Sequence, residues 1–393
     1  PTIDHVYEKP ANEFVVTAPA HYQVVSNGII IEETDLGDGT RRTHWKQSVP
    51  IPPWLYVLGV ARFAVQHLGE VDGVPIQTWV YARDRDAGFY DFAVPTRQAM
   101  EYYGDWVGPY AYEKVANITS PVTGGGMEAA TAIMYHEGSV TGQRTTRWRN
   151  VIIHEIAHQW FGNAVTESDW DDIWLSEGFA TYFTLLFIEH AYGREEFVDG
   201  LRSAAERVWS WYDENPDYRI VHDDLEDMSR VTSIATYQKG AWILHMLRKR
   251  LGDEVFWQGI RSYYGRYMNG SATTADFRRV MEEASGEDLA TFFDQWLYRG
   301  GNPELQGTWH YDGSQGQVVL DIRQTQEAGP VYDLTLEIGL FDGEGMAPVS
   351  VHEVRLTGTD HRFELPVAEA PADVRLDPGT WVLFRGGLVR SDR

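Results

Sequence analysis

His154-Glu155-Ile156-Ala157-His158, with Glu177 following the second histidine after 18 intervening residues, decides how this chain of 393 residues is read. The pentapeptide lies in a stretch from about Trp148 to Phe161 that has helical period and contains neither Pro nor Gly. Residues four apart differ by about 40° around a helix, so both imidazoles project from one face at a separation one cation can bridge. Neutral imidazole is a preferred Zn²⁺ ligand, and a carboxylate beside the metal can take a proton from a bound water whose pKa the metal lowers to about 7. At this chain's histidine content a His-Glu-x-x-His match arises by chance roughly 0.03 times, and a Glu at one fixed spacing lowers that to about 0.002. Two imidazoles and a carboxylate leave the fourth position of tetrahedral Zn²⁺ open to water, as a catalytic site requires. The sequence thus predicts one Zn²⁺ per chain at His154, His158 and Glu177, with Glu155 beside it. Asp171 and Asp172, in the loop before Glu177, either hold a ligand imidazole by its other nitrogen or form a solvated acidic loop.

Composition narrows what surrounds this site. Cysteine is absent, so disulfides, thiolate metal sites and cysteine nucleophiles are excluded from this sequence. The 33 Lys+Arg against 58 Asp+Glu give a net charge of −25, which repels phosphate backbones and anionic lipid over most of the surface. No apolar run approaches the ~18 residues of a spanning helix, and no signal-like segment is visible. Nucleic acid and membrane are therefore not expected partners, and the cytoplasm is the expected compartment, with secretion or the periplasm left open. An acidic cleft would concentrate cationic ligands, including the protonated amino end of a peptide.

Along the chain, residues 1 to about 70 read as strands and turns, with runs such as Phe14-Val15-Val16-Thr17 and Trp54-Leu55-Tyr56-Val57-Leu58 separated by Asn27-Gly28 and Asp38-Gly39. From about Pro75 to Arg299 helical period dominates, as in Ile234 to Leu251 and in Asp276 to Ala284 behind the expected caps Thr273-Thr274. The turn Gly300-Gly301-Asn302-Pro303 ends it. Alternating strands such as Val318 to Ile322 and Leu334 to Ile338 then predict a small β-sandwich. About 26 residues before the metal motif stands Gly124-Gly125-Gly126-Met127-Glu128. Its glycines let a backbone come close to a ligand and pair with a substrate main chain, and Glu128 could meet a cation; the plain alternative is a turn.

The order Gly-Gly-Met-Glu, His-Glu-x-x-His, 18 residues, then Glu177-Gly178-Phe179-Ala180 resembles the gluzincin aminopeptidases, the zinc family of aminopeptidase N. The resemblance covers nearly the whole chain. It implies that Glu128 holds the free amino group of the substrate, with Gly125, Gly126 and Met127 in the same substrate-binding loop, that His154, His158 and Glu177 bind zinc and that Glu155 is the general base. Tyr237-Gln238-Lys239-Gly240 resembles the family's Tyr-x-Lys-Gly, which gives Tyr237 the role of oxyanion stabiliser; by period alone it reads as a core aromatic. Gln295-Trp296-Leu297 with Gly301-Asn302-Pro303 matches the end of the family's catalytic domain.

The implied fold is a multidomain α+β chain: the second half of an amino-terminal β-domain at 1–72, a thermolysin-like, mainly helical zinc catalytic domain at 73–302 and a C-terminal β-sandwich at 303–393. Two departures accompany it. Ala129 stands where the family usually has Asn, and the start at Pro1 resembles the middle of the family's first domain, so a missing amino-terminal fragment is expected as a second chain. The expected function is hydrolysis of the amino-terminal bond of peptides with a free amino terminus, through a metal-activated water. The alternatives are a thermolysin-type endopeptidase, which needs no amino anchor, and a non-catalytic protein-binding scaffold, which would not need Glu155.

Overall fold

The structure, a computed structural model, describes residues 3–222, 230–343 and 347–391. Its β-rich start consists of two small antiparallel sheets. In one, Thr40–Gln47 lies between Asn12–Pro19 and Ile29–Asp35; in the other, Gln23–Ser26 pairs with Leu58–Ala61. Trp54 to Leu58 does not form the expected strand: Pro53–Leu55 is a 3₁₀ turn and the strand begins only at Leu58. Pro52 and Pro53 supply no N–H to a ladder and hold φ near the helical value, so the aromatic run cannot pair from its start. The Asn27-Gly28 turn is not a free hairpin tip. The Asn27 amide donates to the Leu55 and Ala130 carbonyls at 2.9 and 2.7 Å, and Gly28 N–H donates to Thr131 Oγ1 at 2.7 Å. The β-rich part thereby grips the chain just after Glu128.

A five-stranded sheet follows, in the order Phe63–Val71, Val74–Tyr81, Val115–Ser120, Ala132–His136, Gly126–Met127. Its three inner strands run parallel, and the helix Arg85–Trp106 connects the first two. The region after Pro75 is therefore mainly helical only from Arg85 onward. Val115–Ser120 is buried at every position, so it shows no alternation that period-based reading could detect. Phe63–Val71 and Val74–Tyr81 form one hairpin, so the expected division at 72/73 falls at its turn.

The central helices, among them Thr146–His158, Trp174–Tyr192, Gly240–Leu251 and Thr274–Ser285, pack around one apolar cluster. Thr273 caps the last of these as the sequence predicts, in a capping box with Asp276. After Asn302 come a four-stranded sheet, ordered Asp360–Pro366, Gln317–Gln324, Glu304–Asp312, Arg385–Arg390, and a three-stranded sheet, ordered Ser350–Leu356, Leu334–Phe341, Asp373–Leu376. Val318, Leu320 and Ile322 from one and Leu334, Leu336 and Ile338 from the other are buried in a common core, the pattern of two sheets facing each other. Among the described residues no helix is long and apolar enough to cross a membrane.

Candidate active site

The helix Thr146–His158 places His154 and His158 as its period requires, with their Nε2 atoms 3.1 Å apart. Glu177 comes from the first turn of Trp174–Tyr192, and its Oε2 lies 3.4 and 3.2 Å from those two nitrogens. The three ligand atoms lie within 4.8 Å of one another. Glu177 Oε2 is buried and faces the two imidazole nitrogens, so three atoms able to ligate a cation converge on one point. The electrostatics favour a cation there. Burial opposes charge on His158, yet Glu128 and Glu177 outweigh it and lift its pKa to about 10. Burial likewise opposes the Glu177 carboxylate, while His158 and His154 hold its pKa far below the ordinary range. Two imidazoles and a carboxylate suit Zn²⁺, and these residues could hold it.

His158 is oriented from behind. Its Nδ1 lies 3.2 Å from the Phe161 carbonyl and 3.1 Å from Ser176 Oγ, which leaves Nε2 to face the site. The two aspartates proposed for that task do other work. Asp172 accepts bonds from Thr274 N and Oγ1 at 3.0 and 2.6 Å, and Asp171 faces His222 at 3.9 Å. Phe161 lies in the turn just after this helix, and Ser176 adjoins Glu177 in sequence.

Gly126–Met127 is the edge strand of the five-stranded sheet, paired on one side with Tyr135 and Met134. His136 N–H donates to the Gly125 carbonyl at 2.7 Å, extending that pairing. A Cβ on Gly126 would fall 2.1 Å from Glu155 Oε1, so only glycine lets this strand lie against the Glu155 carboxyl. Glu128 follows, buried. Its carbonyl accepts from Gln159 Nε2 at 2.9 Å and from Asn163 Nδ2 at 2.7 Å, so the loop is bolted to the end of the metal-site helix although Ala129 offers no side-chain donor. Burial raises the pKa of Glu155 well above the ordinary carboxyl range, with the charge of Glu128 adding to it. Burial raises Glu128 as well.

Tyr237 lies in a π-helical turn, Ala235–Lys239, and donates its hydroxyl proton to Glu177 Oε1 at 2.6 Å. Such turns are rare and re-aim side chains at sites. Gly178 and Gly240 meet where their two helices cross: a Cβ on Gly178 would lie 3.0 Å from the Gly240 Cα. That close approach brings Tyr237 within reach of Glu177. The structure therefore gathers His154, His158, Glu177, Glu155, Gly126, Glu128 and Tyr237 in one place. Sequence reasoning did not single out Gln159, Asn163 or Ser176; the first two follow His158 closely, and their amide side chains beside a metal motif were the only signal in the sequence.

Comparison with known proteins places the chain in a family. Residues 92–296, just over half of the chain, match the model of the Peptidase family M1 domain. Glutamyl aminopeptidase from Homo sapiens is 28% identical over 357 residues, covering 84% of this chain and 36% of the relative. Probable aminopeptidase 2 from Sulfurisphaera tokodaii is 31% identical over 317 residues, covering 77% and 40%. The chain thus spans about two fifths or less of the length of these relatives. Among solved structures, Legionella pneumophila aminopeptidase A in complex with aspartic acid shares the fold, with a TM-score of 0.80, 21% identity and coverage of 98% of this chain and 45% of that one. A point mutant of an M1 zinc metallopeptidase from Deinococcus radiodurans superposes with a TM-score of 0.65 at 26% identity, covering 75% and 65%. With a match over more than half of its length, carrying both histidines, Glu155 and Glu177, the chain belongs to peptidase family M1.

Proposed function

We propose that the chain carries the catalytic unit of a zinc aminopeptidase, which releases the first residue of a peptide. The observation that supports this most is the edge strand Gly126–Met127, which lies against the general-base candidate Glu155 and delivers Glu128 to the same pocket. An extended peptide adding to that edge would pair with Gly125 and Gly126 while its α-ammonium meets Glu128. Zn²⁺ on His154, His158 and Glu177 would supply a Lewis acid for the scissile carbonyl and a nucleophile at neutral pH. Glu155 takes the proton from the attacking water and returns it to the leaving amine. Tyr237 shares the charge that develops on the carbonyl oxygen. We assign residues 73–302, with the hairpin strand Phe63–Val71, to the catalytic unit, and the flanking β-rich segments to support of the Glu128 loop and of the helices.

Metal analysis of protein purified without chelator should give close to one zinc per chain, and His158→Ala should lose most of it. Unchanged zinc in that variant would remove the ligand assignment.

Glu128 accounts for the exopeptidase character of this reading. An α-ammonium with a reference pKa near 8 is mostly protonated at neutral pH, and a charge-assisted bond to a carboxylate contributes about 1.5 to 3 kcal/mol, or roughly 10- to 150-fold. Glu128→Gln should therefore weaken KM on that scale, and lower kcat too, because the anchor decides which carbonyl reaches the reacting groups. Acetylating the peptide's amine should abolish cleavage by the native protein. Efficient cleavage of acetylated peptides at internal bonds would establish the endopeptidase alternative.

A further inference from the structure

Three residues after Glu128, Thr131 has a left-handed backbone, with φ +66°, although its side chain is β-branched. Such residues avoid that region because the Cβ crowds the neighbouring carbonyl, and one held there marks strain that its surroundings must over-determine. The turn demands it. Ala132 N–H donates to the Ala129 carbonyl at 3.1 Å, which closes a four-residue turn over 129–132 with Thr131 in its third position. Within that turn only Thr131 has a positive φ, as a type II turn requires, and glycine or asparagine is the usual residue there. The threonine is wholly buried, and each of its polar atoms is engaged. Its N–H donates to Gln159 Oε1 at 3.0 Å, and its carbonyl accepts from Ala116 N–H at 3.0 Å. Its Oγ1 accepts from Gly28 N–H at 2.7 Å and donates to Gln47 Oε1 at 3.3 Å.

These bonds converge on Glu128. Gln159, whose oxygen holds Thr131 N–H, donates from its nitrogen to the Glu128 carbonyl at 2.9 Å, so one side chain clamps both ends of 128–131 to the end of the metal-site helix. The second attachment is to the β-rich part. Gly28 is also left-handed, with φ +74°, and a Cβ on it would lie 1.9 Å from the Lys46 carbonyl oxygen, so only glycine can present its N–H to Thr131 in this way. Asn27 holds the Ala130 carbonyl, and the buried Lys114 ammonium donates to the Ser26 carbonyl at 2.8 Å and to the Gly28 carbonyl, tethering the tip from its other side. We propose, on the basis of the aminopeptidase reading, that Thr131 is a positioning residue for the amine anchor: its hydroxyl ties the Glu128 turn to the Asn27-Gly28 tip and sets where the Glu128 carboxylate meets the substrate's α-ammonium. Glycine would fit this backbone better, so the hydroxyl is the reason for the strain. Without it the turn could still close, but Glu128 would be held from the metal-helix side alone. Position matters here because a charge-assisted bond weakens steeply away from its preferred distance and direction. The β-rich part thereby takes part in substrate recognition through this turn.

The test is titration calorimetry on the full chain loaded with zinc, with leucine hydroxamate and with isocaprohydroxamate, which has the same side chain and metal-binding group but no amine. In the native protein the amine should raise affinity by roughly 10- to 150-fold, the range of one charge-assisted bond. Thr131→Gly should lower that advantage by about tenfold, as a misplaced anchor does. Its affinity for isocaprohydroxamate, its zinc content and its thermal midpoint should stay near those of the native protein, because relief of the backbone offsets the lost bond. Thr131→Ser, which keeps the hydroxyl, should keep the advantage. A glycine variant with the native advantage, equal weakening of both hydroxamates, or a serine variant as impaired as the glycine one would overturn the assignment. If the glycine variant does not fold, judged by circular dichroism and thermal midpoint, Thr131→Asn is read in the same way, since asparagine tolerates a left-handed backbone. Failure of both to fold would make Thr131 a residue of the fold alone and would also overturn its role in the anchor. No amine advantage in the native protein removes the anchor and the aminopeptidase reading with it; an advantage that survives Thr131→Gly removes only the role of Thr131.

Discussion

Glu155→Ala should retain close to one zinc per chain and lose roughly 10² to 10⁴ in kcat on an amino-acid anilide, the usual contribution of a positioned general base. Its carboxyl is buried against the Gly126 backbone, where burial first and the charge of Glu128 second raise its affinity for a proton. That environment suits a group that must take a proton and give it back, because proton transfer is most effective when the pKa of the base approaches the working pH. None of the converging ligand atoms belongs to Glu155, so truncation should leave the metal in place. Zinc content and turnover measured on the same preparation check this. Loss of metal in step with activity would make Glu155 a structural support of the site and not its base.

Tyr237→Phe should lower kcat by about 10² to 10³ while changing KM much less, as happens when one donor to a developing oxyanion is removed. Burial, together with the adjacent Glu177, holds the phenol far above its ordinary pKa, so the group keeps its proton and remains a donor. That proton now sits between the phenol and Glu177 Oε1, 2.6 Å apart, and the ring lies nearly parallel to His154 with centroids 6.1 Å apart. The variant therefore also frees one oxygen of a candidate ligand, and zinc content separates the two effects. Full zinc with lost turnover supports oxyanion stabilisation; zinc and turnover falling together would make Tyr237 a holder of Glu177. Normal turnover would return it to the core.

Much of the central site was legible because its geometry is local. An i,i+4 pair on a helix must share a face, so His154 and His158 needed no tertiary information, and the fixed spacing to Glu177 completed the set. The capped helix after Thr273 and the alternating strands at Val318 to Ile322 and Leu334 to Ile338 were legible for the same reason, since caps and strand period act over a few residues. The strand Val115–Ser120 was not, because burial on both faces erases the period. Pairings across long stretches of chain lay further out of reach. The sheet that sets Gly126 against Glu155, the glycine contact that brings Tyr237 to Glu177, the amides of Gln159 and Asn163 on Glu128 and the Asn27 turn on Ala130 all depend on where separate elements pack. The chain by itself determined which residues could bind a metal, because helix geometry allows them one arrangement. Only tertiary packing decided which backbone and side chains press on that site and how burial shifts the proton affinity of Glu155 and Glu128, because burial and hydrogen bonding are properties of the folded environment and not of residue type.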